Sequence, residues 1–347
     1  MRTNKNPNAA DKIVRRVRVC IATAVLTLFI TSCASGPPRL HQAIADKNEA
    51  YALDLIAKGD SIEQKDPNGR VPLHYAAETG QTKIIEELIQ RGADVNAPLP
   101  NTMTPVVFAC MGGSIQAVNL LRENNARFSG PTCLQAAAAY GHPLLVKQML
   151  AEGVFVDVRN YDRETALHMA AAQGQLEVVE LLIEAGASID AITVAGLSPY
   201  SLAVINSRKP VAFLLLRAGS DPDKHCCGGG GLDGFYSAVA YYYAAQYAEE
   251  NGMTTEAVNR YSVAATRFDS AAEGFDRKIS EISGRQVKSL GLEFLIRLAS
   301  AAANTPLTVP GPSVVSLQEQ KEILTNLSER SRFLAKDCRE KIDALQK

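Results

Sequence analysis

The side chains of this sequence best equipped for chemistry are its seven cysteines and five histidines. A thiolate attacks carbonyls, ligates metals or forms disulfides, and an imidazole moves protons or ligates metals. One stretch combines the two, His225-Cys226-Cys227, and Gly228-Gly229-Gly230-Gly231 follows it. Adjacent cysteines lack the Cys-x-x-Cys spacing of a zinc site, so an oxidisable pair, or pairing with Cys338, fits better than a metal centre. The glycines have no Gly-Lys-Ser/Thr after them and no strand before them. They read as a flexible joint, not a phosphate loop. No Gly-x-Ser-x-Gly or His-Glu-x-x-His occurs, and no carboxylate pair stands out from ordinary helix-surface charge. The expectation is a protein that is not an enzyme, with no catalytic residue, metal, cofactor or small-molecule substrate.

The elements behind these residues are helical. The 347 residues are 46% hydrophobic and 21% charged, enough for a packed core. Aromatic content is 6%, Trp is absent, Ala is abundant, and strand-like runs of Val, Ile and Thr are few. The composition predicts an all-α fold. The first 32 residues hold six basic groups and one acidic one, which leaves 30 basic and 36 acidic groups, a net of −6, for the rest. That balance argues against nucleic-acid binding, which needs clustered Lys and Arg.

The N-terminus reads as an address. Arg15-Arg16-Val17-Arg18 precedes an apolar run over 19–30. Twelve helical residues span about 18 Å, against a bilayer core of about 30 Å. The run is too short to cross a membrane and fits the apolar region of a signal peptide. Ile30-Thr31-Ser32-Cys33 then resembles the bacterial lipobox. The resemblance implies cleavage before Cys33, lipidation of its thiol and acylation of the new amine, giving enough chains for stable anchoring. Ala34, in place of Asp, leans towards the outer membrane, facing the periplasm.

Internal periodicity organises the middle of the chain. Gly-Ala-Asp-Val-Asn at 92–96 returns as Gly-Ala-Ser-Ile-Asp at 186–190, and Val-Pro-Leu-His at 71–74 as Thr-Ala-Leu-His at 165–168. Gly59, Gly92, Asn125, Gly153, Gly186 and Gly219 are spaced 33, 33, 28, 33 and 33 residues apart. Pro72, Pro105, Cys133, Ala166 and Pro199 are spaced 33, 28, 33 and 33. Two landmarks share one period and one deletion. Pro opens a helix, small Ala76-Ala77 and Ala170-Ala171 let first helices approach, and Gly80 and Gly174 end them in left-handed caps. Ile84-Ile85-Leu88-Ile89 forms the stripe of a second helix.

This period and its Thr-Pro-Leu-His pattern resemble the ankyrin repeat. The resemblance implies an α-solenoid of helix-turn-helix units with short β-turn fingers, here over 40–222. Six units fall at about 38–64, 65–97, 98–128, 129–157, 158–190 and 191–222. The first is divergent and the fourth is shortened, with Cys133 and Gln135 off the family pattern. His74 and His168 share a slot with a structural role, His142 opens a second helix, and His41 and His225 stand alone. Cys110 and Cys133 fall on helix-facing slots as buried apolar residues, with a disulfide possible after export. In the family, partners bind the concave face of finger tips and first helices. Carried over, that face is Asn68, Arg70, Glu78, Thr79, Asn101, Met103, Met111, Tyr140, Tyr161, Asp162, Glu164, Gln173, Val194 and Leu197, with Ile205 and Asn206 at its end. Met103, Met111, Tyr140, Tyr161 and Leu197 are the expected anchors.

After a tether at 33–39, the array and a Gly-rich linker at 223–233, residues 234–347 read as a helical domain with helices at 234–251, 254–281, 284–303 and 315–346. Tyr241, Ala245, Ala248, Ala257, Tyr261 and Ala264 have spacing similar to one tetratricopeptide repeat. Leu317, Leu324, Leu327, Leu334, Cys338 and Leu345 form a stripe, interrupted by Ser331 and Lys341, that predicts intramolecular packing. Two functions follow as expectations: a membrane-tethered scaffold that holds a protein partner, or an envelope component whose helical domain self-associates or grips the envelope. Growth with a labelled fatty acid is expected to mark the wild-type protein and leave Cys33→Ser unmarked; equal labelling of both contradicts lipidation at Cys33.

Overall fold

The computed structural model describes residues 39–99, 103–221, 233–282 and 317–347. Among them it holds fifteen helices and no strand. Residues 1–38, including Cys33, residues 222–232, with His225, Cys226, Cys227 and the glycines, and the expected helix at 284–303 lie outside the described residues. The chain forms two compact units that divide between Ser129 and Gly130.

The first unit contains α1 (Arg39–Ala45), α2 (Glu49–Ala57), α3 (Pro72–Thr79), α4 (Thr82–Gln90), α5 (Pro105–Gly112) and α6 (Ile115–Glu123). Each pair is one repeat. Pro72 and Pro105 stand at the first helical turn, where a missing N–H costs nothing. Ile84, Ile85 and Leu88 of α4 are fully buried, each contributing about 2 kcal/mol through removal from water. Ala76 and Ala77 are fully buried too.

The second unit contains α7 (Gly130–Tyr140), α8 (Pro143–Ala151), α9 (Ala166–Gln173), α10 (Leu176–Glu184), α11 (Pro199–Ile205), α12 (Lys209–Arg217) and three longer helices, α13 (Asp233–Glu250), α14 (Thr254–Ile282) and α15 (Leu317–Leu345). The shortened repeat starts its first helix early. α7 has 11 residues where α9 has 8, and the helix takes up chain that other repeats spend on a finger.

Backbone conformation follows the period. Gly59, Gly92, Asn125, Gly153, Gly186 and Gly219 all have positive φ, so Asn125 fills the glycine slot in conformation as well as in spacing. The slot of Gly80 and Gly174 holds Lys47 at its start and Ser207 at its end, at φ of 56° and 57°. Non-glycine residues accept that region at a cost, which is why neither residue stands out in the sequence.

Side chains in fixed slots tie each repeat to its neighbours. His41 Nε2 donates to the Arg70 carbonyl (3.0 Å), Gln135 Nε2 to the Glu164 carbonyl (3.1 Å) and His168 Nε2 to the Leu197 carbonyl (3.2 Å). Each bond reaches 29 residues ahead. His41 is therefore not isolated: it shares the slot of His74 and His168. Gln135 departs from the pattern yet makes the same bond. A second slot reaches back: Gln81 donates to the Ile44 carbonyl (2.7 Å), Gln175 to Ala139 (3.1 Å) and Arg208 to Ala172 (3.3 Å). A third links the turns, with Asp94 N donating to Glu63 (2.8 Å) and Ser188 N to Asp157 (2.9 Å).

The three long helices continue the second unit. Phe235, Tyr261, Phe268, Phe275, Leu327, Ala335 and Cys338 form their common core. Ser331 is buried and donates to the Leu327 carbonyl (2.8 Å), so the interrupted stripe of α15 packs within the chain. Tyr200 of α11 donates its hydroxyl to the Ala240 carbonyl of α13 (2.7 Å), and Phe213 of α12 meets Tyr247 edge-on at 5.7 Å. The helical segment thus covers the last repeat. Cys338 is a free thiol with no exposed surface, and burial pushes its pKa up to about 12. No described helix is long and apolar enough to cross a membrane.

The stacking histidines make stability depend on pH. In His168, Nδ1 accepts from Thr165 N (3.1 Å) while Nε2 donates, which requires the neutral ring. Burial lowers the pKa of His74 and His168 to about 4 from 6.5. Arg70 beside His74 and Arg159 near His168 lower them further, while Asp157 opposes at His168. The unfolded chain then binds more protons, so the contribution is complete above about pH 6.5 and lost as pH falls through about 4, by up to about 3 kcal/mol per histidine. Denaturant midpoints are expected to fall over this range, and His168→Gln, which copies Gln135, is expected to flatten the profile; an unchanged profile contradicts the neutral tautomer.

Candidate protein-binding face

Three of the fingers are closed by a polar residue at the base. Asp66 Oδ1 accepts from Asn68 N (2.8 Å) and Arg70 N (2.8 Å), and Tyr75 donates its hydroxyl to Asp66 Oδ2 (2.7 Å). Asn160 Oδ1 accepts from Asp162 N (3.0 Å) and Glu164 N (2.9 Å). Thr193 Oγ1 accepts from Leu197 N (3.1 Å). A short acceptor side chain that bonds its own loop two to four residues on favours a tight turn. Adjacent fingers of the second unit also join directly, Val194 N donating to the Asp162 carbonyl at 2.9 Å.

In the first unit, three of the expected binding residues, Arg70, Glu78 and Thr79, make contacts within the fold. Arg70 pairs with Glu78 (3.0 Å) and lies over the rings of Phe108 (4.6 Å) and Tyr75 (5.5 Å). Thr79 donates to the Tyr75 carbonyl (2.7 Å) and accepts from Gln81 (2.6 Å). Asn68 is exposed, Met103 and Met111 are half-buried, and Asn101 lies outside the described residues. Next to Met111, a Cβ on Gly112 would come within 1.9 Å of the Glu78 carbonyl oxygen, so α3 and α5 approach there because Gly112 has no side chain.

In the second unit, Tyr161 is fully exposed at 104%, Val194 is 47% exposed and Tyr140 37%. Asp162, Gln173 and Leu197 are half-buried. Glu164 is buried instead of presented: Asn160 Nδ2 donates to it (2.9 Å), and desolvation raises its pKa. Ile205 packs against the core of the helical segment, and Asn206 donates to the Leu202 carbonyl (2.8 Å). Neither ends an open face. The sequence reading did not single out Arg159 and Arg163, exposed on the same finger as Tyr161, or Leu144 and Phe155, 70% and 69% exposed in the shortened repeat. Counting charges within one finger would have found the arginines. The two apolar residues have no distinguishing sequence signal.

Cys110 and Cys133 are both buried and disulfide-bonded. Among the described residues no cluster of three or more His, Cys, Asp or Glu could hold a metal ion.

The family model described as ankyrin repeats matches three times, over residues 40–131, 113–193 and 133–226. Among solved structures, the ankyrin repeat domain of human ASB11 is 28% identical, with a TM-score of 0.45, covering 54% of this chain and 86% of that one. The ankyrin repeat domain of Bcl-3, described as a unique member of the IkappaB family, is 21% identical, with a TM-score of 0.39, covering 55% and 90%. No curated protein matches.

Because Arg70 is held by Glu78 of its own repeat and by the Phe108 ring of the next, Arg70→Ala is expected to cost stability first. Loss of the ring contacts and of the buried stem predicts a drop of about 1–2 kcal/mol in unfolding free energy, measured by urea denaturation; an unchanged midpoint contradicts the assignment.

Proposed function

The chain belongs to the ankyrin-repeat family, and on that premise we propose that it is a scaffold that holds a protein partner on the finger and first-helix side of its repeats. Ankyrin repeats are protein–protein interaction modules. The observation that carries the reading here is the pair of apolar finger tips, Tyr161 fully exposed and Val194 nearly half exposed on adjoining fingers. Exposed aromatic side chains on a rigid support gain most from burial by a partner.

The proposal also tethers the protein by lipid at Cys33 in the bacterial envelope, at the outer membrane facing the periplasm. The support is the sequence around Cys33 together with the disulfide-bonded Cys110 and Cys133, because disulfides persist in oxidising compartments. The alternative, in which the helical segment grips the envelope or a second copy, has less behind it. The apolar faces of α13, α14 and α15 are largely spent on one another.

The test is capture of partner from envelope extracts by the full chain. Tyr161→Ala combined with Val194→Ser is expected to reduce capture roughly tenfold or more with the helical circular-dichroism spectrum unchanged. Undiminished capture contradicts the assigned face.

A further inference from the structure

The finger at residues 159–164 carries a charge arrangement that narrows the chemistry of the partner. Arg159, Tyr161 and Arg163 are all exposed. Arg159 and Arg163 make no side-chain ion pair or hydrogen bond within the described residues. Three other arginines of the array are paired: Arg70 with Glu78, Arg91 with Glu87 and Arg217 with Glu180. Among the described residues the finger's own acids form no ion pair with either arginine: Glu164 is buried and accepts from Asn160 Nδ2, and Asp162 is half-buried. Bases point outwards and an acid is held inwards.

Arg163 is also costly where it stands. It has φ 59°, in the finger slot where Gly69 and Gly196 have φ 81° and 74°. A long side chain in that region strains the backbone; Arg163 N donates to the Asn160 carbonyl (2.9 Å), but no side-chain hydrogen bond or ion pair of Arg163 among the described residues offsets the strain.

We propose that Arg159, Tyr161 and Arg163, with Val194 and Ala195 beside them, form a clamp for an extended acidic peptide of the protein partner. The proposal rests on the protein-binding reading above and adds the partner's charge. Planar guanidinium forks take carboxylates in bidentate fashion, and the Tyr161 ring stacks on the peptide between them. An anionic membrane fits less well, since such surfaces are recognised by clusters of about four to eight cations. Nucleic acid fits less well too, against a body of net charge −6.

Fluorescence anisotropy of the full chain with an extended Glu/Pro-rich peptide, its Gln/Pro counterpart, and flotation with phosphatidylglycerol vesicles tests it. The Glu/Pro peptide is expected to bind at least tenfold more tightly than the Gln/Pro peptide. Arg159→Gln with Arg163→Gly is expected to lose about tenfold of that binding, the effect of two exposed charge pairs. Arg163→Gly alone is expected to raise the thermal midpoint by roughly 2–4 °C while weakening the peptide. Equal affinity for the two peptides, undiminished binding by the arginine variant, or association with vesicles alone overturns the clamp. If Tyr161→Ala with Val194→Ser abolishes partner capture while the arginine variant does not, the binding face stands and the acidic preference falls. If neither variant changes capture, both fall.

Discussion

A repeat of two helices, each seven to eleven residues long, cannot bury its own apolar stripe, and everything else in the array depends on that constraint. Burial comes from the neighbouring repeat, so neighbours must arrive in register. The register is set by polar side chains. His41, Gln135 and His168 each reach 29 residues forward to a carbonyl at the base of the next finger. Gln81, Gln175 and Arg208 reach back to the first helix of the preceding repeat. These bonds satisfy buried backbone groups that would otherwise be costly, and they work only when each helix pair sits one period from the next.

The same constraint produces the exposed finger side. Positive-φ residues end the repeat helices, and Gly69, Arg163 and Gly196 turn three of the fingers, whose bases Asp66, Asn160 and Thr193 close. What remains outside is set by the tips, where residue choice is free of packing. In the first unit the freedom is spent on an internal Arg70–Glu78 pair. In the second it leaves Tyr161, Val194 and two unpaired arginines at the surface. The far end needs a different solution, since a last repeat has an apolar side with no successor. α13 supplies it through Tyr200 and Phe213.

Much of this was legible in the sequence, because the period survives wherever a residue type is physically forced. Glycine or asparagine marks a left-handed turn, and proline marks a first helical turn. Asn125 could be placed in the glycine slot from spacing alone. Lys47 and Ser207 could not, since neither is a residue that turn demands. His41 looked isolated because its repeat has Arg39 where others have proline, and Gln135 looked wrong because an amide and an imidazole make the same bond without looking alike. The face was less legible. Glu164 sits in a finger slot that reads as exposed, yet Asn160 draws it inwards. Ile205 is covered by helices whose arrangement no periodicity announces.

The central claim is that a protein partner rests on the finger side of these repeats. Site-specific photo-crosslinking in intact cells tests it most directly, with a photoreactive amino acid at position 161 and, as a control, at the exposed Glu177 on the second-helix side. The account predicts one dominant protein adduct from position 161 and little from position 177. No adduct at 161, or the same adducts from both positions, would contradict it.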